Sequence, residues 1–173
     1  MILRASDLPL NYNAVHILEH NLAARADKTA LYTPERKMTF RQVADEVNQV
    51  GNALRRLDVR MGESVAILCL DGSEWAMAYF AVMKIGAVAV GMNTLLKPAE
   101  HAYILRDCRA RVLIIHATLL PAIEPIRGEV ESLKHVIVVG GTKGRASDLV
   151  YRDWIAAEST VLSVAPNHRD DFC

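Results

Sequence analysis

Four short runs constrain this chain more than anything else in it: VAILCL (65–70), VAVGM (88–92), VLIIH (112–116) and VIVVG (136–140). Each is β-branched or otherwise apolar nearly throughout, where a strand with one wet face would alternate. Uninterrupted apolar runs of this length belong to strands covered on both faces, as in a parallel sheet. Parallel neighbours need crossovers, and helix-length segments stand between the runs. After the first, DGSEW supplies a turn, with Ser73 as the expected N-cap of a helix over 74–85 that is apolar nearly all round and therefore buried. After the second, Pro98 sits where a first-turn proline belongs, and Ala102, Ile104, Leu105 and Cys108 give the next helix a packed face. After the third, TLLPAIEPIRGEV is a weaker helix with two prolines. The order β-α-β-α-β-α-β predicts an α/β fold with a doubly wound, mostly parallel sheet and right-handed crossovers.

Ahead of this unit, Thr39 and Gln42 stand at the spacing of a capping box. Phe40, Val43, Val47, Val50, Leu54 and Leu57 then recur at intervals of three and four, which makes an amphipathic helix. A helix is expected over 14–25, and TALYT reads as a short strand turned by PERK. From Ser159 onward no helical period is present, so 159–173 reads as linker or loop.

At 173 residues the chain suits one domain. Twenty basic residues balance twenty acidic ones, so no long-range field favours nucleic acid or anionic lipid. Cys69, Cys108 and Cys173 form no CxxC pair and no disulfide framework, which fits a reducing, cytoplasmic compartment. The first residues, MILRASDLPLNYN, lack the basic start and apolar core of a secretory signal. WAMAYFAVMKIGAVAVGM is interrupted by Lys84 and Gly86, and a buried helix running into a buried strand explains it better than a membrane span.

Candidate sites are sparse. GGTKGRAS (140–147) follows the fourth run but lacks the spacing of a dinucleotide fingerprint and the GK[ST] ending of a P-loop, so a surface loop is the simpler reading. His16 and His20 share a helix face, but without HExxH order or a third ligand they read as a solvated face. His101 is expected on a helix surface. Cys69 lies inside an apolar strand, where a thiol behaves as a small hydrophobe. Cys108 has Arg106 and Arg109 beside it but no paired histidine, and reads as structural. Composition and spacing thus give a fold class and neither a catalytic residue nor a metal site.

Several stretches carry a resemblance. MTFRQV (38–43) resembles the first core motif of the adenylate-forming acyl-CoA synthetases, usually Leu-Thr-Tyr-x-Glu-Leu. MKIGAVAVGMN (83–93) is similar to the second, with Gly91 and Met92 where proline and its neighbour are common. NTLLKPAEHAYILRDCRA (93–110) looks most like the benzoate and other aryl-CoA ligases. The resemblance covers roughly 13–173 and implies the Rossmann-like first subdomain of the synthetase large domain. It implies a ligase that couples a small carboxylic acid, of aromatic type, to CoA through an acyl-adenylate, using ATP and Mg²⁺. Transition-state charge on phosphate and carboxyl oxygens calls for backbone donors, the metal and a lysine. In the family these lie in a Ser/Thr/Gly-rich loop ending Pro-Lys-Gly and beyond it, and RDDFC (169–173) resembles the lead-in to that loop. On this resemblance, 1–173 is a partial N-terminal domain, inactive and ligand-free by itself, with 159–173 leading toward the phosphate loop. CoA contact falls on Asn93, Thr94 and Leu95, whereas the basic residues that grip CoA phosphates in some relatives would fall on LLPAIEP, which has none. An uncovered sheet would favour self-association or disorder near 140–173. A different class remains open: a stand-alone α/β module that binds a nucleotide, CoA or a partner without chemistry.

Overall fold

In the computed structural model, which describes residues 7–171, the four apolar runs form strands of a single parallel sheet. They are β3 (Ser64–Leu68), β4 (Val88–Gly91), β5 (Val112–His116) and β6 (His135–Val139). A fifth strand unmarked in the sequence, β7 (Leu149–Val150), pairs through Ile137 and Val138 of β6. The order is β4-β3-β5-β6-β7 and every pairing is parallel.

Alternate residues of the inner strands feed two cores. Val65, Ile67, Val112, Ile114 and Ile137 pack on one face with α3 (Phe40–Arg56), α4 (Ser73–Lys84) and α7 (Tyr151–Ile155). Ala66, Leu68, Leu113, Ile115, Val136 and Val138 pack on the other with α5 (Pro98–Asp107) and α6 (Leu120–Ile123). This double coverage is why β3, β5 and β6 read as unbroken apolar runs. The run at 88–92 departs from that expectation: Val88, Ala89 and Val90 are half-buried and Gly91 is exposed. Among the described residues β4 closes one edge of the sheet, so its ladder has a neighbour on one side only.

The capping box forms at the start of α3: the Thr39 hydroxyl accepts the Gln42 N–H at 3.3 Å, and the Gln42 side-chain carbonyl accepts the Thr39 N–H at 2.9 Å. At α4 the expectation shifts by one residue. Gly72 is the N-cap, and the Ser73 hydroxyl makes no cap but accepts from Arg36 Nε at 2.7 Å. The helix expected over 14–25 is two single turns, α1 (His16–Glu19) and α2 (Leu22–Arg25). Between them Asn21 donates its amide to the Ile17 carbonyl at 2.9 Å and accepts from Arg25 Nη1 at 3.2 Å, so side chain and backbone compete for the same groups. TALYT is β1 (Thr29–Tyr32), paired antiparallel with β2 (Lys37–Thr39). TLLPAIEPIRGEV winds as 3₁₀ turns on either side of α6.

Residues 159–169 have neither helix nor strand, yet they have fixed partners. Asn48, Asn52 and Arg55 of α3 donate to the carbonyls of Thr160, Ser159, Val161 and Ser163. Leu162 seats against Gly51, where a Cβ would lie 2.3 Å from its Cδ2. These contacts form because α3 turns a polar face to the carbonyls of this segment. Further on, Asn11 bridges His168, and the Tyr12 N–H donates to the Asn167 carbonyl at 3.0 Å, so residues 11–12 lie beside 167–168. Under this closure Lys84, only 4% exposed, donates to Glu19 and to Asn48 Oδ1. Among the described residues no helix is long and apolar enough to cross a membrane.

Candidate functional site

The strand order fixes where a site can form. From β3 the chain steps outward to β4, then returns past β3 to β5 and continues the other way, so winding reverses between β3 and β5. At such a point the crossovers diverge and leave a crevice outside the carboxyl ends of the strands. A cavity of about 380 Å³ lies there, lined by Cys69, Asp71, Gly72 and Trp75 after β3, His116 at the end of β5, Gly140 and Gly141 after β6, and Tyr151 and Arg152 after β7. Gly140 has φ +72, and a Cβ on it would stand 2.6 Å from His116 Nε2, so backbone conformation and ring approach both require glycine. His116 Nδ1 accepts the Thr118 N–H at 3.3 Å and lies 2.8 Å from its hydroxyl, so the neutral ring carries its proton on Nε2.

The electrostatics of this cleft do not suit a polyphosphate. Glu35, Asp71 and Glu74 line it against the single guanidinium of Arg152, which is itself engaged by Glu46 and Glu74. Glu74 also occupies the first turn of α4, where a phosphate would otherwise meet free N–H groups. Burial pushes its carboxyl up, but hydrogen bonds from the Ser73 hydroxyl and a backbone N–H, with the charges of Arg36 and Arg152, bring it below the usual range and keep it ionised. Arg36 also holds Glu46 in a bidentate pair at 2.6 and 2.9 Å, and the buried Tyr151 hydroxyl donates to the same carboxylate at 3.2 Å. Hairpin, α3, α4 and α7 therefore meet in one ionic network that braces the wall of the cleft. Its residues already have partners in one another and offer no cradle for ATP and Mg²⁺.

The other sequence candidates fall as follows. Burial, with the charge of Glu74, pushes the Cys69 thiol up to about 12, and burial also raises that of Cys108. Both are thiols at neutral pH, Cys69 as its place in an apolar strand predicts and Cys108 through burial. Cys173 lies outside the described residues. GGTKGRAS is an exposed loop, anchored at its end where the Arg145 N–H donates to Asp148 at 2.8 Å and Arg145 Nε to Glu124 at 2.8 Å. His16 and His20 stack, with centroids 5.4 Å apart and planes at 10°. Among the described residues no three His, Cys, Asp or Glu side chains gather as metal ligands.

Asn93, Thr94 and Leu95 follow β4 on the same carboxyl edge, beside the cleft without lining it. A Cβ on Gly91 would lie 3.6 Å from Trp75, which joins the two. The Asn93 side chain accepts the Leu95 N–H at 2.9 Å, and Leu95 is 90% exposed. This turn leaves an exposed apolar side chain and polar backbone at the edge. His101, expected on the surface, is fully buried, and its Nε2 donates to the Asn93 carbonyl at 3.1 Å. No sequence signal marks that contact, which spans eight residues and a loop. His116 was accessible to reasoning as the one polar side chain ending an apolar run, at the edge where ligands bind.

Five parallel strands in this order, helices on both faces and loops gathered at the carboxyl edge define a doubly wound α/β domain. The sequence profile of the AMP-binding enzymes matches residues 18–173, and the chain belongs to that family. It is 33% identical to the benzoate–CoA ligase of Thauera aromatica over 98% of its own length and 32% of that protein. Among solved structures it resembles the anthranilate CoA ligase AuaEII in complex with anthranoyl-AMP, with TM-score 0.96 and 57% identity over 99% of this chain and 33% of that one. The benzoate CoA ligase from Burkholderia xenovorans LB400 superposes with TM-score 0.82 at 26% identity, over 92% and 31% of the two chains. The chain thus spans about a third of the length of the relatives it matches.

Proposed function

We propose that this chain is the N-terminal part of an ATP-dependent acid–thiol ligase that joins an aromatic carboxylic acid of the benzoate or anthranilate type to CoA. The observation that carries the reading is the 57% identity, over 99% of the chain, to a ligase solved with anthranoyl-AMP. In the proposed reaction a carboxylate oxygen attacks the α-phosphorus of ATP and releases pyrophosphate. The CoA thiol, losing its proton, then attacks the acyl carbon of the adenylate and releases AMP. Mg²⁺ would neutralise the phosphate charge during the first step.

Within that reaction the described residues act as scaffold. The charges of the cleft are already paired with one another, which supports placing adenylation outside these 173 residues. The turn Asn93–Leu95 is assigned to CoA contact, because it presents polar backbone and one apolar side chain at the ligand-binding edge of the sheet. The cytoplasm is the expected compartment, given two unpaired thiols.

Thioester formation from benzoate and from anthranilate, with ATP, Mg²⁺ and CoA, tests the proposal on the 173-residue chain and on the full product of its gene. Activity confined to the longer protein is the expected result. Activity in the 173-residue chain would overturn the scaffold assignment, and absence of activity with either acid in the longer protein would overturn the substrate class. A stand-alone binding module is the second reading, favoured by the exposed turn after β4 and not by the acidic cleft. Micromolar binding of CoA by the 173-residue chain, with a full gene product that makes no thioester, is the result that would select it.

A further inference from the structure

We propose that His101 is a positioning residue for the CoA step: its buried imidazole clamps the Asn93 carbonyl and so fixes the turn that presents Thr94 and Leu95. The inference rests on the reading of that turn as a CoA contact.

The connection from β4 to α5 is short, running from Met92 to Lys97, and each end is tied. The Met92 N–H donates to the Ile67 carbonyl at 2.9 Å, and the Lys97 N–H to Glu100 Oε2 at 2.8 Å. Between these ties the Asn93 carbonyl meets two donors. One is the Leu96 N–H at 3.5 Å, too long for a strong bond. The other is His101 Nε2 at 3.1 Å. A carbonyl only accepts, so Nε2 carries a proton and donates it. Removing the imidazole would leave the carbonyl with the long contact alone.

The burial of this ring calls for a reason. His101 is 0% exposed and sits in α5 beside Ala102 and Leu105, both core residues. Its Nδ1 has no hydrogen-bond partner among the described residues. A buried polar atom without a partner is unfavourable, and a phenyl ring would fill similar space without that cost. What the imidazole supplies, and a hydrocarbon does not, is the donor to Asn93. The helix backbone sets its reach, because the His101 N–H is held by the Lys97 carbonyl at 3.1 Å. The first turn of α5 thus carries a side chain back across the turn it terminates.

The test uses the full-length ligase. His101→Phe keeps a ring and removes the donor, while His101→Gln restores a donor at about the position of Nε2. The two half-reactions are read separately: adenylation by ATP–pyrophosphate exchange without CoA, and thioester formation at varied CoA. His101→Phe is expected to raise KM for CoA about five- to tenfold, the worth of one hydrogen bond, with exchange changed less than about twofold. His101→Gln is expected to recover most of the loss. Amide hydrogen exchange at Leu95 and Leu96 should quicken in the Phe variant and return in the Gln variant, a readout independent of turnover. Should the Phe variant fail to fold, His101→Leu takes its place.

An unchanged KM for CoA in a folded Phe variant, or equal losses in both half-reactions without rescue by Gln, overturns the inference. Leu95→Asp separates it from the reading beneath it. If Leu95→Asp raises KM for CoA and His101→Phe does not, the clamp alone fails. If Leu95→Asp leaves KM for CoA unchanged, the turn is no CoA contact and both fail together.

Discussion

Asp148 is 1% exposed and ionised, which its partners explain. Burial pushes its carboxyl up, but Arg127 Nη2 at 2.6 Å and the Arg145 N–H at 2.8 Å outweigh burial and hold it below the usual range. A carboxyl depressed in the fold adds stability above its unfolded value of about 4, lost as pH falls through the lower folded value. Asp148→Asn should therefore cost about 2–4 kcal/mol at pH 7 and flatten the acid limb of a urea-unfolding profile recorded below about pH 4. Unchanged stability at pH 7 would refute the role given to this pair. Gly140 makes a second case at this scale. Alanine there meets the left-handed backbone and the His116 ring together, and should cost about 1–3 kcal/mol while moving the His116 imidazole resonances. Single residues of this kind are the least legible in sequence. Asp148 lies at the end of a polar loop and its partner Arg127 in a proline-broken segment, and nothing in their spacing announces that a fold brings them together.

At the scale of elements, legibility follows periodicity. The capping box at Thr39 and Gln42 and the stripe of α3 were readable because both are local patterns, and both form as read. Thr39→Ala should lower stability by about 1 kcal/mol in denaturant unfolding, and Gln42→Ala by less, since Thr39 supplies the cap proper. The runs that became β3, β5 and β6 were readable because both faces are covered. Four similar runs say little about their order, however, so neither the edge position of β4 nor the reversal between β3 and β5 could be read from them. Strand β7 has only Leu149 and Val150, too few for any period. The split between α1 and α2 turns on how one asparagine side chain bonds, which propensity alone does not decide.

For the molecule as a whole, the family was legible in short motifs, while the cleft at the carboxyl edge of the sheet was not. The cleft is assembled from the ends of β3, β5, β6 and β7 together with Glu35 of the β1–β2 turn, and no linear pattern encodes that assembly. Among the described residues β4 pairs on one side only, and an apolar groove of about 240 Å³ opens between Ile17, Leu31, Phe40 and Phe80. The 173-residue chain is expected to self-associate, with a weight-average mass in sedimentation equilibrium that rises with concentration. A constant monomer mass up to about 100 μM would count against it.

The bridge between Asn11 and His168 has a further consequence. Because residues near the two extremes of the described chain lie side by side, connectivity and architecture are separable here. A circular permutant that joins these neighbouring segments by a few flexible residues and opens at the exposed Thr142–Lys143 bond should keep the same sheet. The point at which such a polypeptide is cut would then be a matter of genetic convenience more than of physics.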